Sequence, residues 1–278
     1  MNKKFVIITS IGMMGLIFGL FGCEKPQNSD YICKNNPELC ADLHKDSWCR
    51  FEKGDLIRHR YHLLSVEKPH GKDLYLLLRY LEKYSQCMEM ASGVKHVMNT
   101  HRTEDRERAY AISTQTLAQL QEYTKNDTDV YLAYYRWTRF NDDASREIVL
   151  AAYRNNQITE PEQLASLATY YVRYSPNDAK KLYLKLFSLD DPENFDTNWL
   201  LGLASIFHQQ QQLQWAYLLT KTNLLMTDNK ADDHQLMGLV NGNKQTAETL
   251  NTKAKMLASL LQSGHFSQSE LATQLKNI

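Results

Sequence analysis

The chain has little of what usually marks an enzyme or a nucleic-acid-binding protein. It has no polybasic block: 32 basic residues stand against 32 acidic ones, without a run of one sign, so there is no electrostatic footprint for nucleic acid or anionic lipid. There is no Gly-x-Ser-x-Gly elbow, no His-Glu-x-x-His helix and no phosphate-binding glycine loop. No catalytic set and no cofactor is implied. No segment alternates apolar and polar residues well enough to make a strand, and the expected class is all-α. Hydrophobic residues make up 43%, with 16 Tyr and 4 Trp, which is ample for a folded core.

Long apolar runs are scarce as well. The one at the start, Phe5–Phe21, follows Lys3 and Lys4 and closes on Leu20-Phe21-Gly22-Cys23. This resembles a bacterial lipoprotein signal and implies cleavage before Cys23, a lipid on the Cys23 sulfur, and a tether over residues 23–30. Phe21 stands where a small or β-branched residue is usual. The competing readings are an uncleaved single-pass anchor and an ordinary secretory signal. Against the first, Gly12, Gly15, Gly19 and Gly22 make a poor permanent helix. Glu24, and not Asp, follows the cysteine, which by analogy with lipoprotein sorting favours the periplasmic face of the outer membrane over the inner membrane. Removing residues 1–22 takes away Lys3 and Lys4 and no acid, leaving a formal charge of −2. The polar stretch Glu24–Asp30 reaches roughly 25 Å when extended, at about 3.3 Å per residue, so the body stays close to its membrane.

Five cysteines fall to an even set once Cys23 carries lipid: Cys33, Cys40, Cys49 and Cys87. Export permits disulfides, and four cysteines allow three connectivities. Residues 47–65 and 72–90 have helical patterns, and Pro69-His70-Gly71 breaks the chain between them. In an antiparallel hairpin, residues equidistant from the turn lie at one height. Cys49 and Cys87 are equidistant from Lys68, each on a stripe of apolar residues, with Leu56 and Leu63 or with Leu77 and Tyr84. That favours Cys49–Cys87 as a staple across the hairpin's open end, with Cys33–Cys40 closing a local loop; free thiols or another pairing remain the alternative.

Asn36-Pro37-Glu38 predicts a helix start, as does Asp46-Ser47. Residues 91–103 are expected as a connection and 104–125 as a helix. From about residue 128 the pattern repeats. The helices 129–140 and 144–154 make one pair, 161–174 and 179–189 a second, and 197–207 and 213–226 a third. A shift of 35 residues lays Leu132 on Leu167, Ala133 on Ala168, Tyr135 on Tyr170 and Ala144 on Ala179. A two-helix unit of 34–37 residues resembles tetratricopeptide-type repeats in architecture, without their Trp, Gly and Pro spacing; a non-repetitive bundle is the alternative. Helices at 245–262 and 267–276 would cap the stack. The expected architecture is therefore helical hairpins stacked as a short tetratricopeptide-like solenoid. A Cys-rich hairpin over 31–92 runs on into a repeat region over 93–278 as one continuous domain.

Candidate sites are few. His59 and His62 sit at i, i+3, but no third ligand accompanies them and Arg58 and Arg60 flank them, so solvated surface histidines are expected and no metal. His44, His59, His62 and His70 with Cys33, Cys40 and Cys49 would make a zinc set only if the thiols stayed reduced. Asp190-Asp191 and Asp232-Asp233 read as turn and capping residues. Tyr131, Tyr134, Tyr135 and Trp137, and then Tyr170, Tyr171 and Tyr174, read mostly as inter-helix packing, with a few lining a groove as peptide anchors.

The segment Ile32-Cys33, Asn36-Pro37-Glu38-Leu39-Cys40, Asp42-Leu43, Asp46, Trp48-Cys49-Arg50, Glu52-Lys53 and Ile57 to Arg60 resembles a family of uncharacterised Gram-negative lipoproteins, a domain of unknown function. The resemblance runs from the signal onward and implies the lipid anchor and the cysteine set; it brings no catalytic residue and no ligand. The expected function is a non-catalytic periplasmic adaptor, held to the membrane through Cys23, that binds an envelope protein or peptide and no nucleic acid. The alternatives are a cell-wall-acting enzyme or small-ligand module, and a structural envelope lipoprotein.

Overall fold

The computed structural model describes residues 28–229 and 233–278. The signal segment, Cys23 and Asp232 lie outside the described residues. The described residues form thirteen α-helices and one short 3-10 turn, without a strand. None of these helices is long and apolar enough to cross a membrane. The chain divides into two compact units between Asp142 and Asp143. That boundary falls inside the first expected helix pair.

Unit one begins with α1 (Ser29–Asn35), the 3-10 turn Pro37–Leu39, α2 (Arg50–Leu63) and α3 (Lys72–Ser92), and continues with α4 (Thr100–Thr124) and α5 (Val130–Phe140). Ser29 and Asp30, expected in the tether, already form the first turn of α1, because the Asn28 side chain accepts from the Asp30 N–H at 2.9 Å. Asn36-Pro37-Glu38 makes only the 3-10 turn. The Asn36 amide donates to the Ile32 carbonyl at 3.2 Å, so it caps no following helix.

α2 starts three residues later than Asp46-Ser47 suggests. Asp46 Oδ1 accepts from the Trp48 N–H at 3.0 Å, an Asx turn that competes with helix, and Cys49 takes a left-handed conformation, φ 48°. The expected connection over 91–103 shrinks to 93–99, since α3 carries the buried Ala91 and α4 begins at Thr100. Helix α3 packs on α2, α4 and α5. Leu56, Ile57, Leu81, Tyr84, Met88 and Ala109 form the core between them. Each large side chain of this set stabilises the unit by about 1.5–3 kcal/mol through burial. The structure pairs Cys33 with Cys40 and Cys49 with Cys87, the second across the open end of the α2–α3 hairpin.

Unit two comprises α6 (Asp143–Arg154), α7 (Pro161–Tyr174), α8 (Pro176–Phe187), α9 (Asn198–Gln209), α10 (Leu213–Met226), α11 (Asp233–Gly238), α12 (Lys244–Gln262) and α13 (Glu270–Lys276). The break expected over Ser175–Asp178 reduces to Ser175 alone, because Pro176 opens α8, where its missing N–H and fixed φ cost nothing. α7 packs with α8 and α9 with α10; α9 also touches α7 and α8, α12 lies on α10, and α13 lies on α8. The 35-residue superposition fails in two places, one being that Tyr135 is buried where Tyr170 is half-buried. In the other, Ala144 is exposed where Ala179 is buried, and Ser145 takes the inward position instead.

Close approach of α8 and α9 depends on Gly202: a Cβ there would run into the Tyr183 ring. The C-terminal segment folds back on the end of α8. Phe266 meets Phe187 at 5.6 Å, edge to face, and Asp190 Oδ1 accepts from the Ser267 N–H at 3.0 Å.

Candidate functional site

The densest polar cluster lies in unit one, where the loop 40–49 crosses α2, α3 and α4. His44 is buried and its two ring nitrogens are both engaged: Nε2 meets the Trp48 carbonyl at 2.6 Å and Nδ1 meets the Tyr84 hydroxyl at 2.8 Å. A carbonyl only accepts, so Nε2 carries the proton. Nδ1 then accepts from the Tyr84 O–H, which in turn accepts from the His44 backbone N–H at 3.1 Å. Burial, helped by the nearby Lys53 ammonium, holds His44 below its ordinary pKa. Burial likewise pushes Tyr84 up to about 12.

One turn away Arg106, also buried, donates to Asp46 Oδ2 from Nε at 2.8 Å and from Nη2 at 2.6 Å. Its guanidinium stands 4.7 Å from the Trp48 ring centre. Burial alone would raise the Asp46 pKa, but the Trp48 N–H and Arg106 outweigh it and hold the carboxyl below its ordinary value. Lys53 Nζ donates to the carbonyls of His44 and Asp46 at 3.2 and 2.9 Å. Asp105 accepts from the Lys45 N–H and from Arg108, each at 2.8 Å. Arg60 grips Asp42 with two bonds of 2.7 and 2.8 Å. An open cleft of about 430 Å³ sits over this cluster, lined by Asp46, Ser47, Trp48, Cys49, Arg102 and Arg106. Asp46 and Arg106 spend their bonds on each other and on the chain, an arrangement suited to holding a loop in place.

The histidine expectation needs correction at one position. His59 is not solvated: it is buried, its Nε2 meets the Asp73 carbonyl at 2.9 Å, and its ring lies 5.3 Å from that of Tyr80. α3 covers it, which helical spacing within α2 does not reveal. His62 and His70 are on the surface. The Cys49 and Cys87 sulfurs and Glu52 form the one cluster of possible metal ligands among the described residues. Their disulfide takes those sulfurs out of the thiolate form that binds metal. Asp190 and Asp191 act as turn residues, the latter accepting from Asn194 at 2.8 Å.

The aromatic runs divide. Tyr134, Tyr135 and Trp137 of α5 are buried, and the Tyr135 hydroxyl accepts from Gln121 at 2.9 Å. In unit two Tyr153 of α6 meets Tyr171 at 6.1 Å, Tyr171 meets Tyr170 at 5.4 Å, and Tyr170 meets Tyr174 at 4.8 Å. The first three are half-buried and Tyr174 is 62% exposed. Arg146 lies 5.9 Å from the Tyr170 ring and Arg173 5.7 Å from that of Tyr174. This is a ladder of rings with accessible faces, bordered by cations. Its tyrosines stand out in the sequence, but Tyr153 joins them only through its ring contact with Tyr171.

Residues 20–221 match the family model described as "Protein of unknown function (DUF2989)". Comparison with curated proteins and with solved structures gave no match. The matched span is more than half of the chain, and the chain belongs to that family.

Proposed function

We propose that this member of the DUF2989 family is a non-catalytic adaptor of the cell envelope. It is held by a lipid on Cys23 to the periplasmic face of the outer membrane and docks a peptide segment of another envelope protein on the tyrosine ladder. The anchor rests on the run Phe5–Phe21 ending in Gly22-Cys23. The helices of unit two are read as a short tetratricopeptide-like stack. Supporting this, α7–α8 and α9–α10 pair as hairpins while α9 reaches back to both helices of the preceding pair, the neighbour pattern of such repeats.

The observation that carries the docking role is the ladder Tyr153, Tyr171, Tyr170 and Tyr174 between Arg146 and Arg173. Tyrosine offers large, stiff contact area with a polar tip. Arg173 is placed to meet a carboxylate in a fixed fork, whereas Arg146 is already paired with Asp143 at 2.6 Å and Glu147 at 3.6 Å. The partner segment would present apolar side chains near a carboxylate. A photo-cross-linking residue at Tyr174, compared with one at the equally exposed Met256, tests this in intact cells. One reproducible protein adduct confined to position 174 is expected. Equal yields at both positions would remove the basis for the docking face. Cys23→Ser tests the anchor separately, by loss of acylation and of membrane retention.

A further inference from the structure

The open end of the α2–α3 hairpin carries a group of exposed apolar residues that the core does not use. Phe51 is 68% exposed, Met90 70%, Val97 93% and Met98 100%, and Trp48 and Val94 stand partly out beside them. Isolated surface apolar residues are ordinary; a group held at one end of a bundle is not. Four connections hold these together. The Cys49–Cys87 disulfide brings Trp48 and Phe51 to the last turns of α3, and Met90 follows one turn after Cys87. Arg106 of α4 lies over the Trp48 ring and donates to the Ala91 carbonyl at 3.4 Å. The loop bearing Val94, Val97 and Met98 is tied to α4 by the His96 N–H, which donates to Thr103 Oγ1 at 3.0 Å.

The same end receives the start of the described chain. α1 packs on α2, and its Ile32 is buried in one core with Cys49, Met88 and Ala91, while Asp30 in its first turn acts on the charge of Lys53. Lys53 in turn donates to the carbonyls of His44 and Asp46. Only four residues lie between Cys23 and Asn28, so the five steps span at most about 18 Å of extended chain.

We infer that this end is a second membrane contact: Trp48, Phe51, Met90, Val94, Val97 and Met98 enter the headgroup region of the bilayer to which Cys23 is tethered and fix the orientation of unit one on it. The inference rests on the anchor reading for its geometry. A tether of this length keeps Asn28 within about 18 Å of the lipid on Cys23, so unit one lies against the bilayer surface. Trp and short apolar side chains at such a rim suit the water–lipid boundary. Arg50, whose guanidinium lies 4.6 Å from the Phe51 ring, and exposed Arg102 are placed to meet phosphates. Glu89 and Glu104 are exposed at the same end, so the attraction is apolar and not one of net charge.

The test uses the mature chain from residue 23 with Cys23→Ser and vesicles of phosphatidylethanolamine and phosphatidylglycerol, so that no acyl chain contributes. Weak co-sedimentation is expected, falling at least about tenfold in the variant Phe51→Ser, Val97→Ser, Met98→Ser and changing by less than about twofold between low and high salt. Vesicles brominated near the headgroups should quench tryptophan emission in the parent and not in Trp48→Phe. All three serine substitutions replace exposed side chains, and an unchanged circular dichroism melt certifies the fold. Equal sedimentation of parent and triple variant, or quenching that survives Trp48→Phe, overturns the inference, as it would if this end served a protein or the apolar residues 5–21 instead. A chain that proves unlipidated in cells leaves these readouts intact, so the two readings fail separately.

Discussion

Removing the two disulfides one at a time should destabilise unit one by unequal amounts. The Cys49–Cys87 bond joins residues 38 apart, the Cys33–Cys40 bond residues 7 apart. In the chain-entropy treatment, a loop of the longer size stabilises by about 4 kcal/mol at room temperature and one of the shorter size by about 2.4 kcal/mol. Cys49 is also buried, so Cys49→Ala, Cys87→Ala loses sulfur packing, which widens the gap. Urea unfolding followed by far-ultraviolet circular dichroism, on this double variant and on Cys33→Ala, Cys40→Ala, measures both. The hairpin variant should lose about 1.5 kcal/mol more than the local-loop variant, and its melting temperature should drop by roughly 15 °C. Equal losses, or a larger loss from the short loop, would refute the reasoning. The hairpin would then already be held in register by packing in the unfolded ensemble, and the bond would be incidental.

In unit two, Gly202→Ala should destabilise by about 1–3 kcal/mol, the range for overpacking, because its Cβ has no space beside Tyr183; a stability unchanged in urea titration would mean that α8 and α9 separate freely. His44 and His59 are held below the ordinary value of 6.5, in both cases first by burial. Below that value the unfolded chain binds more protons than the folded one, so stability is full above about pH 6.5 and is lost as pH falls toward the folded pKa values. The lowered carboxyls of Asp46 and Asp105 lose their contribution only at lower pH, below their ordinary value. Urea midpoints between pH 7.5 and 5 should therefore fall in the parent and fall less steeply in His44→Gln; parallel slopes would show that His44 does not titrate with unfolding.

The helices were legible where period and punctuation agreed. Pro161 opens α7, Asp129 caps α5 through the Tyr131 N–H at 2.8 Å, and Pro69-His70-Gly71 separates α2 from α3, whereas Pro176 reads as part of a break and instead opens α8. The equidistance of Cys49 and Cys87 from the turn carries enough geometry to favour their pairing, because an antiparallel hairpin converts sequence distance into height. What stayed hidden is set by contacts between distant segments. The Asp46–Arg106 and Lys45–Asp105 bonds each span 60 residues, and no local pattern announces them. His59 looks like a surface residue from α2 alone and is buried only once α3 lies across it. The register of the repeat pattern slips at Ala144, because the alignment of small residues is weaker than the inward demand of α6, whose buried positions are Ser145, Val149, Leu150 and Ala152. In the same way α11, six residues long, is too short to show a helical period.

The polar cluster and the exposed apolar end are linked by the physics of one loop. The loop 40–49 carries the exposed Trp48 and leads into the exposed Phe51, and such a segment would lose nothing by collapsing onto the bundle unless its backbone were held. Each strut of the cluster supplies such a hold. Lys53 takes two carbonyls, Arg108 reaches the Leu43 carbonyl at 3.1 Å, Asp105 takes the Lys45 N–H, and His44 binds Tyr84 on one side and the Trp48 carbonyl on the other. A buried ion pair such as Arg106–Asp46 is a poor investment for stability alone, since desolvation cancels much of the attraction and well-packed apolar residues often do as well. Its geometry is what an apolar pair would not supply: two directed bonds that hold Asp46, and through the Asx turn Trp48, at a fixed height beside the disulfide. The cluster thus makes sense as the frame that keeps Trp48, and beside it Phe51, turned away from the core at the open end of the α2–α3 hairpin.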